Sequence, residues 1–113
     1  MLALSIRQPY AELILRGVKT IEYRSRPTRK IGERFYIYAA KKWAGAPAPG
    51  MNGHSTEGLQ PGEAPTGVIV GSAVISKCRQ ENGHYEWLLS SVKRLPKPRK
   101  PKGRPQPVWF RPF

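Results

Sequence analysis

The segment LSIRQPYAELILRGVKTIEYRSR, Leu4 to Arg26, constrains the fold more than any other. Pro9 suits the first turn of a helix, where its missing N–H costs nothing. Tyr10, Leu13 and Ile14 follow at i, i+3, i+4 spacing and form one apolar stripe. Gly17 then supplies a left-handed stop. A helix of about two turns cannot persist alone in water, so its stripe must dock on a larger body. Strand patterns flank it. Leu2 to Ile6 is a short apolar run. Val18 to Ser25 alternates, with Thr20, Glu22 and Arg24 on one face and Lys19, Ile21 and Tyr23 on the other.

The rest of the chain reads mostly as strands. Arg26-Pro27 ends the second strand, and Arg29, Lys30 and Gly32 make a basic turn. RFYIYAA, Arg34 to Ala40, is rich in aromatic and β-branched residues, with Phe35 and Ile37 facing the core and Tyr36 and Tyr38 the other side. VIVGSAVIS, Val68 to Ser76, is apolar on both faces and suits a closed barrel, with Gly71 marking a bulge or a close neighbour. Asn82-Gly83 is a hairpin signal before the strand YEWLL, Tyr85 to Leu89, which continues through Val92 to Leu95 with a bend at Ser90-Ser91. Residues 44–67, dense in Gly and Pro, form a long surface loop. Residues 93–107 alternate prolines with Lys97, Arg99, Lys100, Lys102 and Arg104, which predicts an extended, solvated belt. Val108-Trp109-Phe110 is an apolar anchor behind it. The expectation is one α+β domain over residues 1–113.

The charge narrows the partners. Lys+Arg 20 against Asp+Glu 7 gives +13, clustered rather than even, which favours phosphate-rich ligands such as RNA or another nucleic acid. Cys78 stands alone, so the chain has neither a disulfide nor a thiolate cluster, and a reducing, cytoplasmic location is expected. His54 and His84 have no ligand spacing, so neither metal nor cofactor is expected. No apolar run approaches the ~20 residues of a membrane span. A monomer is expected. Ser-His-Asp chemistry has no basis, because the chain lacks aspartate.

Three constellations carry candidate chemistry. Lys19, Glu22 and Arg24 offer either an acid/base pair, if burial tunes it, or a salt bridge of Glu22 with Arg24 on a half-exposed sheet. On a regular strand Lys19 and Glu22 point apart and meet only through a twist or bulge. Aromatic residues stand beside basic ones at Tyr36, Tyr38, Lys41, Lys42 and Trp43, and again at Tyr85, Trp87, Lys93 and Arg94. This pairing holds single-stranded nucleic acid by stacking. The basic belt offers sequence-blind attraction to phosphate. As a nucleic-acid site, Arg7, Lys19, Arg24, Lys41 and Lys42 would contact phosphate and Tyr23 or Trp43 would stack a base. Glu22 would accept from a base edge, with Arg99, Lys100 and Lys102 adding affinity from the belt. As a hydrolase, Lys19 would act as base and Glu22 would pass the proton.

The QPY helix start followed by GVKTIEYR, Gly17 to Arg24, resembles the ASCH domain, whose motif is G-x-K-x-x-E-x-R. The likeness extends through FYIYAAKK, GVIVGSAVI and YEWLL. It implies a small PUA-like β-barrel flanked by short helices, with Lys19, Glu22 and Arg24 lining a cleft, and RNA as partner. Similar small proteins are amidohydrolases of acylated cytidines, or ribonucleases. In the amidohydrolases a lysine and a threonine of this segment, with a later glutamate, carry catalysis. Lys19 matches the lysine, and Glu22 stands where the threonine would be. That likeness implies a modified nucleoside as the alternative partner.

Overall fold

The computed structural model describes residues 1–44 and 59–113. Six strands and one helix follow in the order β1 (Ala3–Arg7), α1 (Tyr10–Leu15), β2 (Ile21–Arg24), β3 (Arg34–Ala40), β4 (Val68–Glu81), β5 (His84–Arg99) and β6 (Trp109–Phe110). They form one mixed sheet ordered β2-β5-β4-β3-β1-β6, in which β1 and β3 run parallel and the other pairs antiparallel. Most of the 44–67 loop lies outside the described residues.

Local chemistry explains the elements. Gly17 takes φ +78°, and its N–H donates to the Ile14 carbonyl while Val18 N–H donates to that of Leu13, both at 3.0 Å. These bonds satisfy the carbonyls a helix end leaves bare. At the other end Gln8, fully buried, accepts from Glu12 N–H at 2.9 Å and donates to the Pro65 carbonyl at 2.9 Å. Pro9 sits at the N-cap, one residue earlier than expected, after a cis Gln8–Pro9 bond. Asn82 and Gly83 both have positive φ, as a tight β4–β5 hairpin requires.

Two apolar clusters lie on opposite faces of the sheet. Phe35, Ile37 and Ala39 join Leu4, Ile6, Val70, Ala73, Ile75 and Trp87 in the larger one, against which α1 lays Ala11 and Ile14. Tyr38 joins Ala3, Ile69 and Phe110 in the smaller. Strand β4 is thus buried on both faces. Gly71 marks a close approach, because a Cβ there would fall 2.4 Å from the Lys93 carbonyl oxygen and 2.6 Å from Leu15 Cδ2. Glu12 clamps α1 to β5, accepting from Arg94 through both terminal nitrogens at 2.8 Å and from Arg16 Nε at 2.8 Å. The Arg94 guanidinium, helped by Arg16, holds the Glu12 carboxyl below its usual range despite burial.

The sheet curls strongly without closing. Strands β5 and β6 stand four places apart, about 19 Å in a flat sheet. Yet Trp87 and Trp109 stack with centroids 6.0 Å apart. Among the described residues no ladder joins β2 to β1 or β6, so the closed barrel expected from the sequence is an open, curled sheet. The physical reason is that β2 has four residues and β6 two, too few to complete a wall. One helix, α1, is described, rather than several flanking ones.

The belt also departs from expectation. Strand β5 continues to Arg99 through Pro96 and Pro98. Gly71 pairs with Arg94 and Ile69 with Arg99, so both prolines fall in a bulged stretch opposite Val70 and need not donate to the ladder. Trp109 and Phe110 anchor the C-terminal segment as expected, but Val108 is exposed.

Gly17→Ala should lower stability by about 1–2 kcal/mol through the left-handed backbone alone. The added Cβ would meet nothing within 4 Å. Denaturant titration measures the loss, and Gly17→Asn should cost less because asparagine tolerates that conformation.

Candidate functional site

The seam left open in the sheet is a cleft of about 940 Å³. Strand β1 supplies Ser5, Ile6 and Arg7 on one side, and β2 supplies Glu22, Tyr23 and Arg24 on the other. Tyr10 opens α1 at one end. The exit of β3 adds Tyr38, Lys41 and Lys42. The C-terminal strap contributes Arg104 to Pro107 as a further wall. Parallel pairing of β1 with β3 sets Arg7 opposite Ala40, which brings the two cationic strand exits together. The strap is tied down by Ser5 Oγ donating to the Gln106 carbonyl at 2.5 Å and Ser5 N–H donating to that of Val108 at 3.1 Å.

Under the β2 wall lies a charge cluster built by the Gly17 turn. The turn continues to Lys19, whose N–H donates to the Leu13 carbonyl at 3.1 Å, so Lys19 precedes β2 and is not part of its alternation. That placement lets Lys19 Nζ come within 3.5 Å of Glu22 Oε1, the meeting a regular strand forbids. Its side chain is 0% exposed. Nζ also donates to the Ile21 carbonyl and lies 5.6 Å from the Tyr10 ring centroid and 5.1 Å from that of Tyr23. Glu22 Oε2 accepts from Arg24 Nε at 2.9 Å, and the terminal Arg24 nitrogen reaches the Ser5 carbonyl at 2.8 Å, bridging β2 to β1. Burial pushes the Lys19 amine below the usual lysine range. The Glu22 carboxylate pulls it back up, and Arg24 pushes it further down.

Six of the residues assigned to a nucleic-acid site from the sequence line the cleft, Arg7, Glu22, Tyr23, Arg24, Lys41 and Lys42, together with Tyr38 and Arg104, noted there among the aromatic and belt residues. Lys19 lies beneath it and touches it through Glu22 and the two tyrosine rings. Trp43 is not part of the wall. Arg99 stacks on Phe113 at 3.9 Å, away from the cleft. Lys100 lines an adjoining hollow, and the Lys102 backbone N–H is bound to the Pro112 carbonyl at 2.6 Å. Sequence reasoning missed Ser5, Tyr10 and Gln106 as wall residues. Tyr10 could have been found as the one polar-tipped member of the α1 stripe, whereas Gln106 carries no signal of its own.

The cleft therefore gathers, among the described residues, five cations, Arg7, Arg24, Lys41, Lys42 and Arg104, around one carboxylate, Glu22, whose charge is already matched. Three tyrosines, Tyr10, Tyr23 and Tyr38, give it aromatic surface, and burial raises the Tyr38 phenol above its usual pKa, keeping it neutral. Among the described residues no group of three or more His, Cys, Asp or Glu side chains is placed to hold a metal. No described helix is long and apolar enough to cross a membrane.

The ASCH domain model matches residues 4–99 of the chain. Among curated proteins none matches the sequence significantly. Among solved structures, a mutant ASCH protein from Zymomonas mobilis superposes with a TM-score of 0.60 and 16% identity, covering 88% of this chain and 72% of that one. The likeness is one of fold.

The Lys19 amine should titrate below an exposed lysine, as nitrogen-detected NMR would show. Glu22→Gln should move that titration lower still, because it removes the charge that favours the ammonium, and Arg24→Ala should move it higher.

Proposed function

The chain belongs to the ASCH domain family, and we propose that it binds RNA, or single-stranded nucleic acid more generally, in the cleft between β1 and β2. One observation carries this reading: among the described residues the cleft offers five cations and three aromatic rings, and its single carboxylate is neutralised from within. A polyanion with flat bases is the ligand chemistry such a surface fits. Arg7, Lys41 and Lys42 contact phosphate. Tyr23 offers a ring for a base to stack on, and Glu22 accepts from a base edge. Lys19 supports them from below by fixing Glu22 and both flanking rings. The PUA-like character of the family, often linked to RNA binding, agrees with this assignment.

A second reading follows from the Lys19–Glu22 contact at 3.5 Å and the lowered pKa of the lysine. In a hydrolase of acylated cytidines or of RNA, Lys19 would draw the proton from water through Glu22. Turnover abolished by Lys19→Met in a folded protein supports this chemistry, and turnover that survives the change excludes it.

Fluorescence anisotropy of a labelled single-stranded RNA and a duplex DNA over a salt series tests the binding reading. The single strand should bind more tightly, with affinity falling steeply as salt rises. Lys41→Ala combined with Lys42→Ala should weaken every sequence alike and flatten the logarithmic salt slope by about 1 for each phosphate no longer neutralised. An unchanged slope would remove both lysines from the interface.

A further inference from the structure

A second hollow, of about 370 Å³, adjoins the cleft and shares Tyr38, Lys41 and Pro105 with it. Its other walls include Gly67 and Val68 at the start of β4, and Lys100 and Pro101 on the strap. Lys100 and Lys41 are its charged lining residues, and among the described residues no carboxylate faces them there.

Lys41 stands at the division between the two spaces and is held there by backbone. Gly67 N–H donates to the Ala39 carbonyl at 2.6 Å, pinning the start of β4 to the end of β3. The Lys41 stem lies across Gly67, where a Cβ would come within 3.3 Å of Lys41 Cγ. Tyr38 forms a shared floor, fixed edge-on against Phe110 at 5.3 Å. The strap above is fixed at both ends. Lys102 and Gly103 N–H donate to the Pro112 carbonyl at 2.6 and 2.8 Å, and Gln106 is held by Ser5. Two hollows, a cation shared between them and a second cation on the wall of the smaller one make a repeating pattern. A single nucleoside would occupy one hollow and leave Lys100 unused. A ligand with an anion at each repeat matches both.

We propose that the ligand is a nucleic-acid chain of at least two nucleotides, one seated in the cleft, the next in the adjoining hollow, with the phosphate joining them at Lys41 and the following phosphate at Lys100. This inference rests on the nucleic-acid reading of the cleft and adds a minimum length and a path to it.

The test is displacement of a fluorescent single-stranded RNA by mixed-sequence RNA of one, two, four and eight nucleotides, each carrying a phosphate at both ends, from wild type, Lys100→Ala and the Lys41→Ala, Lys42→Ala variant. Affinity should step up by about tenfold between one and two nucleotides, equivalent to about 1.4 kcal/mol, the scale of one charge-assisted phosphate contact. Lys100 is exposed and its replacement leaves the core untouched. Lys100→Ala should therefore keep the mononucleotide affinity and lose most of the gain from added length, and Lys100→Arg should restore it. Mononucleotide affinity equal to that of the longer chains, with both sensitive to the cleft variant, overturns the two-site path and leaves the cleft reading standing. Binding at every length that ignores both Lys100 and the cleft variant overturns both. Polyglutamate displacing the probe as well as RNA of equal charge also overturns the proposal, since it would mark an acidic-peptide surface.

Discussion

One guanidinium spans the seam that the backbone leaves open. Arg24, at the end of β2, holds Glu22 on its own strand and the Ser5 carbonyl on β1. It works together with the packing of Trp87 on Trp109 and the apolar interior to hold the two sheet margins near one another. Closing the gap with a ladder would have filled the space that is now the cleft. Crossing it with a side chain keeps the margins in register and leaves room for a ligand. Arg24 also lies 5.7 Å from the Trp87 ring, so the same group joins the seam to the core.

The charge beneath that seam is arranged in layers. A buried ammonium is costly unless its protons are met, and Lys19 meets a carbonyl, a carboxylate and two aromatic faces. The outcome is asymmetric. Glu22 faces Lys19 through one oxygen and Arg24 through the other, so it does not cancel the field of Arg7, Lys41, Lys42 and Arg104. The cleft can thus be polar and hydrogen-bonding at its floor while remaining cationic at its rim.

How much of this was legible in the sequence depends on whether a feature is local. The α1 stop at Gly17, the alternation of Phe35 and Ile37 with Tyr36 and Tyr38, and the Asn82-Gly83 hairpin are written in neighbouring residues, and each stands where the sequence places it. The position of Lys19 was not legible, because the Gly17 turn runs two residues further than alternation assumes. The open seam depends on how far the whole sheet curls, which no window of residues encodes. The meeting of Arg7 with Lys41 and Lys42 comes from the parallel β1–β3 pairing, a non-local contact. Pro96 and Pro98 misled in the opposite direction. Proline argues against a strand only where its nitrogen must donate, and the bulge opposite Val70 removes that demand.

The brevity of β2 and β6 has a consequence for how this molecule meets others of its kind. Sheet margins are templates onto which a foreign extended segment can be zipped, and long flat ones seed aggregates. Here one margin runs for four residues and the other for two, with Pro107 and Pro112 close on either side of the latter. A stray strand docking at either margin would gain few backbone bonds. The chain gives its longest strands, β4 and β5, to the interior of the sheet, where Ile69 to Val74 of β4 and Tyr85 to Leu88 of β5 lie between partners on both flanks.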